Sequence, residues 1–245
     1  TVGSSVVNLY NLRKIITIKC FSNYDFKRHL KPMMTFFITT IAVAFYVNVS
    51  VALLGFIQGN EEVGYYNAAY RIKDVMVSIV TSLGAVLLPR LSYYIENNMW
   101  DKFNNILSKS TQFIFILSLP LVVFCILFAK PSVLILAGSA YSGSIIPLQV
   151  LALIIFIVGL SNLTGIQMLI PLKKEKYLCY SVVIAAVINM VLNLILIPEY
   201  GAIGAAVSVM VAESSILIYQ IYILRAYSQV LFGGISYMRI IMALT

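Results

Sequence analysis

Six long apolar stretches dominate the chain, at about residues 33–58, 63–90, 106–129, 144–171, 177–197 and 201–224. Each runs for roughly 20 residues or more, the length an α-helix needs to cross a hydrocarbon layer about 30 Å thick. The first, from Met33 to Gln58, carries no charge. The second is interrupted by Arg71, Lys73 and Asp74, and the third contains Pro120. A proline inside a helix removes a backbone donor and clashes with the preceding turn, so the third helix is expected to kink. Pro89, Pro171 and Pro198 are expected where spans end. Residues 131–142, with Pro131 and Gly138, are expected to form a short surface helix and turn closed by Gly143. The predicted fold class is all-α, a polytopic transmembrane helix bundle.

Charge in the connections tests this count independently. Segment 13–31 holds Arg13, Lys14, Lys19, Lys27, Arg28 and Lys31 against Asp25, whereas 59–62 holds only Glu61 and Glu62. Segment 90–109 is basic again, with Arg90, Lys102 and Lys109 against Glu96 and Asp101. Segment 130–143 has Lys130 alone, and 172–176 has Lys173, Lys174 and Lys176 against Glu175. Glu199 stands alone in the next, and Arg225 and Arg239 follow the last stretch. Of the 17 Lys and Arg, 14 fall on one side and only Lys130 on the other, so the positive-inside rule makes 13–31 cytoplasmic.

Thr1 replaces an initiating Met, and Ile240, Ile241 and Met242 open another apolar run. The chain is therefore expected to be part of a longer protein. Its expected organisation is the end of a span plus a basic cytoplasmic loop over 1–32, a six-span lobe over 33–226, and a loop with the start of a further span over 227–245.

Composition agrees. Only 11% of the 245 residues are charged and 61% are hydrophobic, against about 25% charged in soluble domains, and mean hydropathy is +0.95. The net charge of +8 belongs to the cytoplasmic loops, so no nucleic-acid partner is expected. Cys20, Cys125 and Cys179 are scattered without metal or redox spacing and read as small apolar fillers.

Polar groups inside the spans cost about 2.5–3.5 kcal/mol per charge on insertion scales and usually face a bundle interior or a wet cavity. At 100° per residue, Asn67, Arg71, Asp74, Ser78 and Ser82 fall in one stripe of the second span. Met76, Ile79, Leu83, Val86 and Leu87 lie opposite, and Lys73 aligns with Tyr66, Tyr70 and Gly84. Two readings stand: the stripe lines a hydrophilic, cation-bearing cavity, or Arg71 and Asp74 pair at i and i+3 and hold helices together. Further on, Asn189 and Asn193 share a helical face, and Gly201-Ala-Ile-Gly204-Ala-Ala206 lets backbones approach closely. Glu213 is either a proton or cation site or a structural acid, because a carboxylate in lipid must be protonated or partnered.

No phosphate-binding Gly-rich loop, zinc motif or Ser/His/Asp arrangement can be assembled, and His29 is the single histidine. No cofactor, metal or enzymatic activity is expected.

The run GYYNAAYRIKDVMVSIVTSLGAVLLPRLSYY, from Gly64 to Tyr94, resembles the Wzx-type polysaccharide flippases of the MATE-like multidrug/oligosaccharidyl-lipid/polysaccharide exporter superfamily. YVNVSVALLGF (Tyr46–Phe56), the KKEK turn (Lys173–Lys176) and INMVLNLILIPEYGAIGAA (Ile188–Ala206), with Glu213 beyond, agree with it. The resemblance covers essentially the whole chain, as the later half of a longer protein. It departs at Ser50, where members often have Asp, which puts any ion or substrate role of that acid in question here.

The resemblance implies one six-helix lobe of a two-lobed transporter that rocks between inward-open and outward-open states in the bacterial cytoplasmic (inner) membrane. The implied cargo is an undecaprenyl-diphosphate-linked oligosaccharide, turned to the outer leaflet for O-antigen or capsule assembly beside a polysaccharide polymerase. Within that frame Arg71 is the first candidate for the anionic headgroup, Lys73 the second and Arg90, at the cytoplasmic mouth, the third. Tyr66, Asn67 and Tyr70 are candidates for sugar contacts, and Glu213 and Asp74 for a coupling ion. Two other classes remain open: a MATE-type cation-coupled multidrug antiporter, which would prefer acids in its cavity, and a non-transporting scaffold for glycan assembly.

Orientation has a direct check. In a background lacking the native cysteines, single cysteines at Asn104 and Glu175 are expected to resist impermeant thiol reagents added outside, and one at Asn60 to label. The reverse pattern would invert the topology.

Overall fold

A computed structural model describes residues 26–232 and divides the chain into two compact units, Thr1–Met34 and Thr35–Thr245. The expectations placed on 1–25 and 233–245, including most of the basic segment 13–31, Cys20, Arg239 and the two partial spans, lie outside the described residues. Every described element is helical. In order they are α1 (Phe26–Ile57), α2 (Asn60–Thr81), α3 (Leu83–Glu96), α4 (Trp100–Leu127), α5 (Ala129–Leu136), a 3-10 turn (Ser139–Ser144) and α6 (Ile145–Asn162). A π-helical extension (Leu163–Leu169), α7 (Glu175–Ile223), a second 3-10 turn (Arg225–Tyr227) and α8 (Ser228–Phe232) follow. In the first unit only the opening of α1 is described.

Among the described residues, five segments are long and apolar enough to cross a membrane: Met33–Ile57, Asn60–Glu96, Trp100–Leu127, Ser139–Leu169 and Glu175–Ile223. The six apolar stretches fall into five because the last two lie end to end in α7. Straight, its 49 residues would extend about 74 Å, more than twice the hydrocarbon thickness. Gly201 breaks it, with φ 53° and ψ −129°, a conformation open to glycine because it lacks a Cβ. Beyond the break the Gly204 backbone abuts the Leu196 carbonyl, whereas a straight helix would hold those residues about 12 Å apart. Asn189 and Glu213, equidistant from Gly201 in sequence, both bond to Tyr46 of α1. The element is thus a hairpin of two antiparallel arms.

The hairpin's turn is tied to the short α1–α2 connection. Gln58 Nε2 donates to the carbonyls of Ile197 (3.0 Å) and Pro198 (2.9 Å), and Glu62 Oε2 accepts the Ala202 N–H at 2.7 Å. A break in a helix frees donors and acceptors that lipid cannot satisfy, and these two side chains take them up. Glu62 lies so close to Gly201 that a Cβ there would collide with it.

One proline departs from expectation: Pro89 lies inside α3, not at a span end. Pro198 stands three residues before the Gly201 reversal, where the first arm of α7 ends, as expected. The second span passes through Ser82, whose φ of −55° and ψ of −33° stay helical, and its helix continues to Glu96. Pro120 lies inside α4, and α5 with the turn after it matches the short helix and turn expected over 131–142.

Helix α6 is central and packs against α2, α4 and α7. One core cluster gathers Leu91, Phe103, Leu107, Leu163 and Leu224, and a second gathers Leu54, Tyr66, Leu148, Leu151 and Ile197. A third forms where Tyr46 of α1 meets Ala185, Ala212 and Ile216 of the two α7 arms. Large apolar side chains such as Phe56, Leu127, Ile135 and Ile218 are bare, whereas Asn189, Asn193, Ser208 and Gln220 are buried. That inversion suits lipid as the surrounding solvent and not water.

Replacing Gly204 by Leu is expected to force the α7 arms apart and destabilise the protein by about 1–3 kcal/mol, the usual cost of overpacking. Reversible unfolding in mixed detergent micelles measures this, with lipid-facing Val211→Leu as the near-neutral control.

Candidate functional site

Helix α2 separates its polar residues onto two faces, because positions two apart on a helix differ by about 200°. Tyr66, Tyr70 and Lys73, at i, i+4 and i+7, turn toward the protein; Tyr66 and Lys73 are buried and Tyr70 partly so. Asn67, Arg71, Asp74, Ser78 and Ser82 form the other face, with Asn67 half-buried and the rest exposed. The Ser78 and Ser82 hydroxyls bond to their own helix backbone, at Val75 and Ile79.

The exposed face opens on a cavity of about 630 Å³. Asn67, Arg71 and Val75 line it from α2, and Leu136, Ala137 and Tyr141 from α5 and the turn that follows. Arg71 lies eleven residues, about 16 Å, along α2 from Asn60, near the depth of a bilayer midplane.

Lys73 points the other way. Its Nζ sits 3.7 Å from the centroid of the Tyr70 ring and 3.6 Å from Asp74 Oδ1. A cation–π contact is worth about 2 kcal/mol or more when desolvated, so the ring offsets part of the cost of burying an ammonium. Among the described residues, Asp74 pairs with Lys73; the Arg71–Asp74 pair drawn from i, i+3 spacing does not form, because the carboxylate leans toward the ammonium beside it.

Glu213, on the second arm of α7, accepts the Tyr46 hydroxyl proton at 2.6 Å. One turn further along α1, Ser50 Oγ accepts from Asn189 Nδ2 (3.2 Å) and Asn193 Nδ2 (2.8 Å), and Asn189 also donates to the Tyr46 carbonyl at 3.0 Å. The Oδ1 atoms of both asparagines are buried without a hydrogen-bond partner. At the other end of the hairpin, Thr164 of the π-helix donates to Gln220 Oε1 at 2.6 Å, and Gln220 Nε2 to Ser181 Oγ at 3.3 Å. These contacts tie α1, the π-helix and both arms of α7 together through polar groups sequestered from lipid.

The candidates named from sequence therefore separate. Arg71 and Asn67 share the cavity, whereas Lys73 and Tyr66 are enclosed, with Tyr70 against the ammonium. Asp74 is exposed beside the cavity face and paired. Arg90 is exposed on α3, away from the cavity-lining residues. Glu213 is buried against Tyr46, apart from the cavity-lining residues. Sequence reasoning missed Tyr46, whose only signal was its i, i+4 spacing to Ser50. It also missed Tyr141, set between glycines in a surface turn, and the structural roles of Gln58 and Glu62.

An apolar exterior, an all-helical interior and a cation-bearing cavity at bilayer depth define a multi-pass helical membrane protein. The chain belongs to the polysaccharide biosynthesis protein family, whose model matches residues 3–146. A "Putative O-antigen transporter" of Escherichia coli strain K12 is 27% identical over 192 residues, covering 78% of this chain and 46% of that protein. Its namesake in Shigella dysenteriae is 27% identical over 221 residues, covering 89% and 54%. A probable low-salt glycan biosynthesis flippase of Haloferax volcanii is 24% identical over 176 residues, covering 70% and 36%. The chain spans about half the length of the curated O-antigen transporters it matches. Among solved structures, the lipid II flippase MurJ in its inward closed conformation shares the fold, with a TM-score of 0.68 at 16% identity over 99% of this chain and 51% of that one.

Arg71 and Asp74 are expected to act independently. In a double-mutant cycle of Arg71→Ala and Asp74→Ala on stability, the coupling energy should stay under about 0.5 kcal/mol. A coupling well above that would restore the paired reading.

Proposed function

We propose that this chain is part of a flippase that carries a lipid-diphosphate-linked oligosaccharide across the bacterial cytoplasmic membrane by alternating access, for surface polysaccharide assembly. The reading rests foremost on one observation: Arg71, with Asn67 one turn before it, faces an open cavity near the middle of a membrane-spanning helix. A diphosphate needs a cation there, and a sugar chain needs hydrogen-bonding walls in place of lipid. The kinship with O-antigen transporters supports the same cargo class. A six-span lobe over 33–226 is the part of the machine this chain would supply, with the α7 hairpin counted as two spans.

Lys73 is enclosed and paired, so in this reading it holds charge inside the lobe and leaves the headgroup to Arg71. Tyr66 and Tyr70 support it from within. Arg90 would meet the cargo only at entry, on the cytoplasmic side. Glu213 is the candidate for coupling, because it is a buried acid of the second α7 arm bonded across to Tyr46 of α1. Asp74, exposed and bound to Lys73, is the lesser candidate. A polymerase that consumes the flipped unit is the expected neighbour. A drug-cation antiporter would want an acid where the cavity offers a guanidinium.

Loss of the gene is expected to leave lipid-linked repeat units on the cytoplasmic leaflet, measured by their accessibility to an impermeant glycosidase. Complementation then reads the residues. Arg71→Lys should restore part of the transport and Arg71→Ala little, because Lys keeps the charge without the planar fork that grips phosphate oxygens. Glu213→Gln should lower transport at unchanged membrane abundance. Repeat units reaching the outer leaflet without the gene would remove the flippase reading, and a joint fall in abundance and activity would make Glu213 structural.

A further inference from the structure

The wall of the cavity facing α2 is built around one aromatic ring. Tyr141 sits in the 3-10 turn between α5 and α6, entered at Gly138, whose φ of +93° turns the chain. The ring is held from two sides. Its edge meets Tyr65 at 6.4 Å and 85°, and the Tyr65 hydroxyl is itself bonded to Glu61. Its Cε1 lies 3.5 Å from the place a Cβ on Gly64 would take, an ordinary van der Waals distance, so the ring rests against α2 at Gly64. Gly143 has no side chain either, and one would strike the Tyr65 ring; the turn closes on α2 for that reason. The ring remains about two-fifths exposed, 38%, and lines the cavity.

Gly64, Asn67 and Arg71 fall at i, i+3 and i+7 on one face of α2. Along that face stand, in order, the ring packed at Gly64, the Asn67 amide and the Arg71 guanidinium, spread over about 10 Å of helix axis. An aromatic face, an amide and then a cation match a sugar ring joined to an anion. Arg71 is nearest the bilayer midplane and Tyr141 nearest the α1–α2 connection at the helix end. A lipid-anchored glycan presents its groups in that order, with the anion between lipid and sugar, once its sugar points toward that end.

We propose that Tyr141 is a specificity-determining residue, whose ring holds the first sugar of an anion-linked, lipid-anchored glycan while Asn67 bonds to it and Arg71 holds the anion. The proposal rests on the flippase reading and adds to it the sugar wall, which sequence reasoning had assigned to Tyr66 and Tyr70. With the connection 59–62 on the outer side, the cleft holds the cargo in its released orientation.

Binding of two short-chain probes to the full-length protein in nanodiscs decides the matter: farnesyl-diphospho-N-acetylglucosamine and farnesyl diphosphate without sugar. Tyr141→Ala is expected to weaken the sugar-bearing probe about tenfold and leave the bare diphosphate within about twofold. Tyr141→Trp should keep the sugar preference, and Arg71→Ala should weaken both probes. Unchanged binding of the bare diphosphate also shows that the Tyr141→Ala protein is folded. If Tyr141→Ala weakens both probes equally, or neither, the role of Tyr141 is overturned while the flippase reading stands. If neither probe binds the unaltered protein, the flippase reading itself loses its cargo.

Discussion

Inside a hydrocarbon layer every backbone N–H and C=O must find a partner within the protein, because no water is present to take its place. Most of this chain meets that constraint by being helical, and its irregular points are those where another side chain or turn supplies the missing bond. At Gly201 the chain reverses, and the groups freed there go to Gln58 of the α1–α2 connection and Glu62 in the first turn of α2. Without those two side chains the α7 hairpin would leave bare amides and carbonyls at the end of two spans. The position of α1 against both α7 arms depends on the same reversal, since Tyr46 can reach Asn189 and Glu213 together only if the arms lie side by side.

The second organising feature is the division of α2 into an inward and an open face. Arg71 and Lys73 are two residues apart, carry the same charge and have different surroundings. Lys73 is enclosed beside Tyr70 and Asp74, so its charge is partnered within the lobe. Arg71 faces a cavity with Asn67 and stays available to an anion. A cation held by a ring and a carboxylate of its own helix carries charge inside the lobe. A cation in an open cavity sets what the lobe can bind.

Kinship and fold agree with this division without supplying it. The family and the MurJ-like fold account for the order of the helices and for the apolar exterior. Ser50 is bonded to two buried asparagines, and Glu213 is the buried acid bonded across the α1–α7 contact.

Much of the architecture was legible in the sequence. An all-helical membrane bundle follows from six apolar stretches, alternating loop charge and scarce ionisable residues, because a bilayer imposes length and polarity on each span separately. The two faces of α2 were legible too, since helical periodicity depends on local geometry alone. Partner choice was not. Asp74 is equally placed by spacing to pair along its helix with Arg71, and only the packing that encloses Lys73 gives it that neighbour. The same holds for Tyr46 with Glu213, 167 residues apart, and for Tyr141, a turn residue without periodic signal whose ring edge meets Tyr65 of α2 while Gly143 leaves room for the Tyr65 ring. The roles of Gln58 and Glu62 were likewise hidden, because such a side chain takes its function from the break it faces. Spans are set by how each segment meets lipid, which sequence alone determines; the site depends on how segments meet each other, and that only the tertiary structure decided.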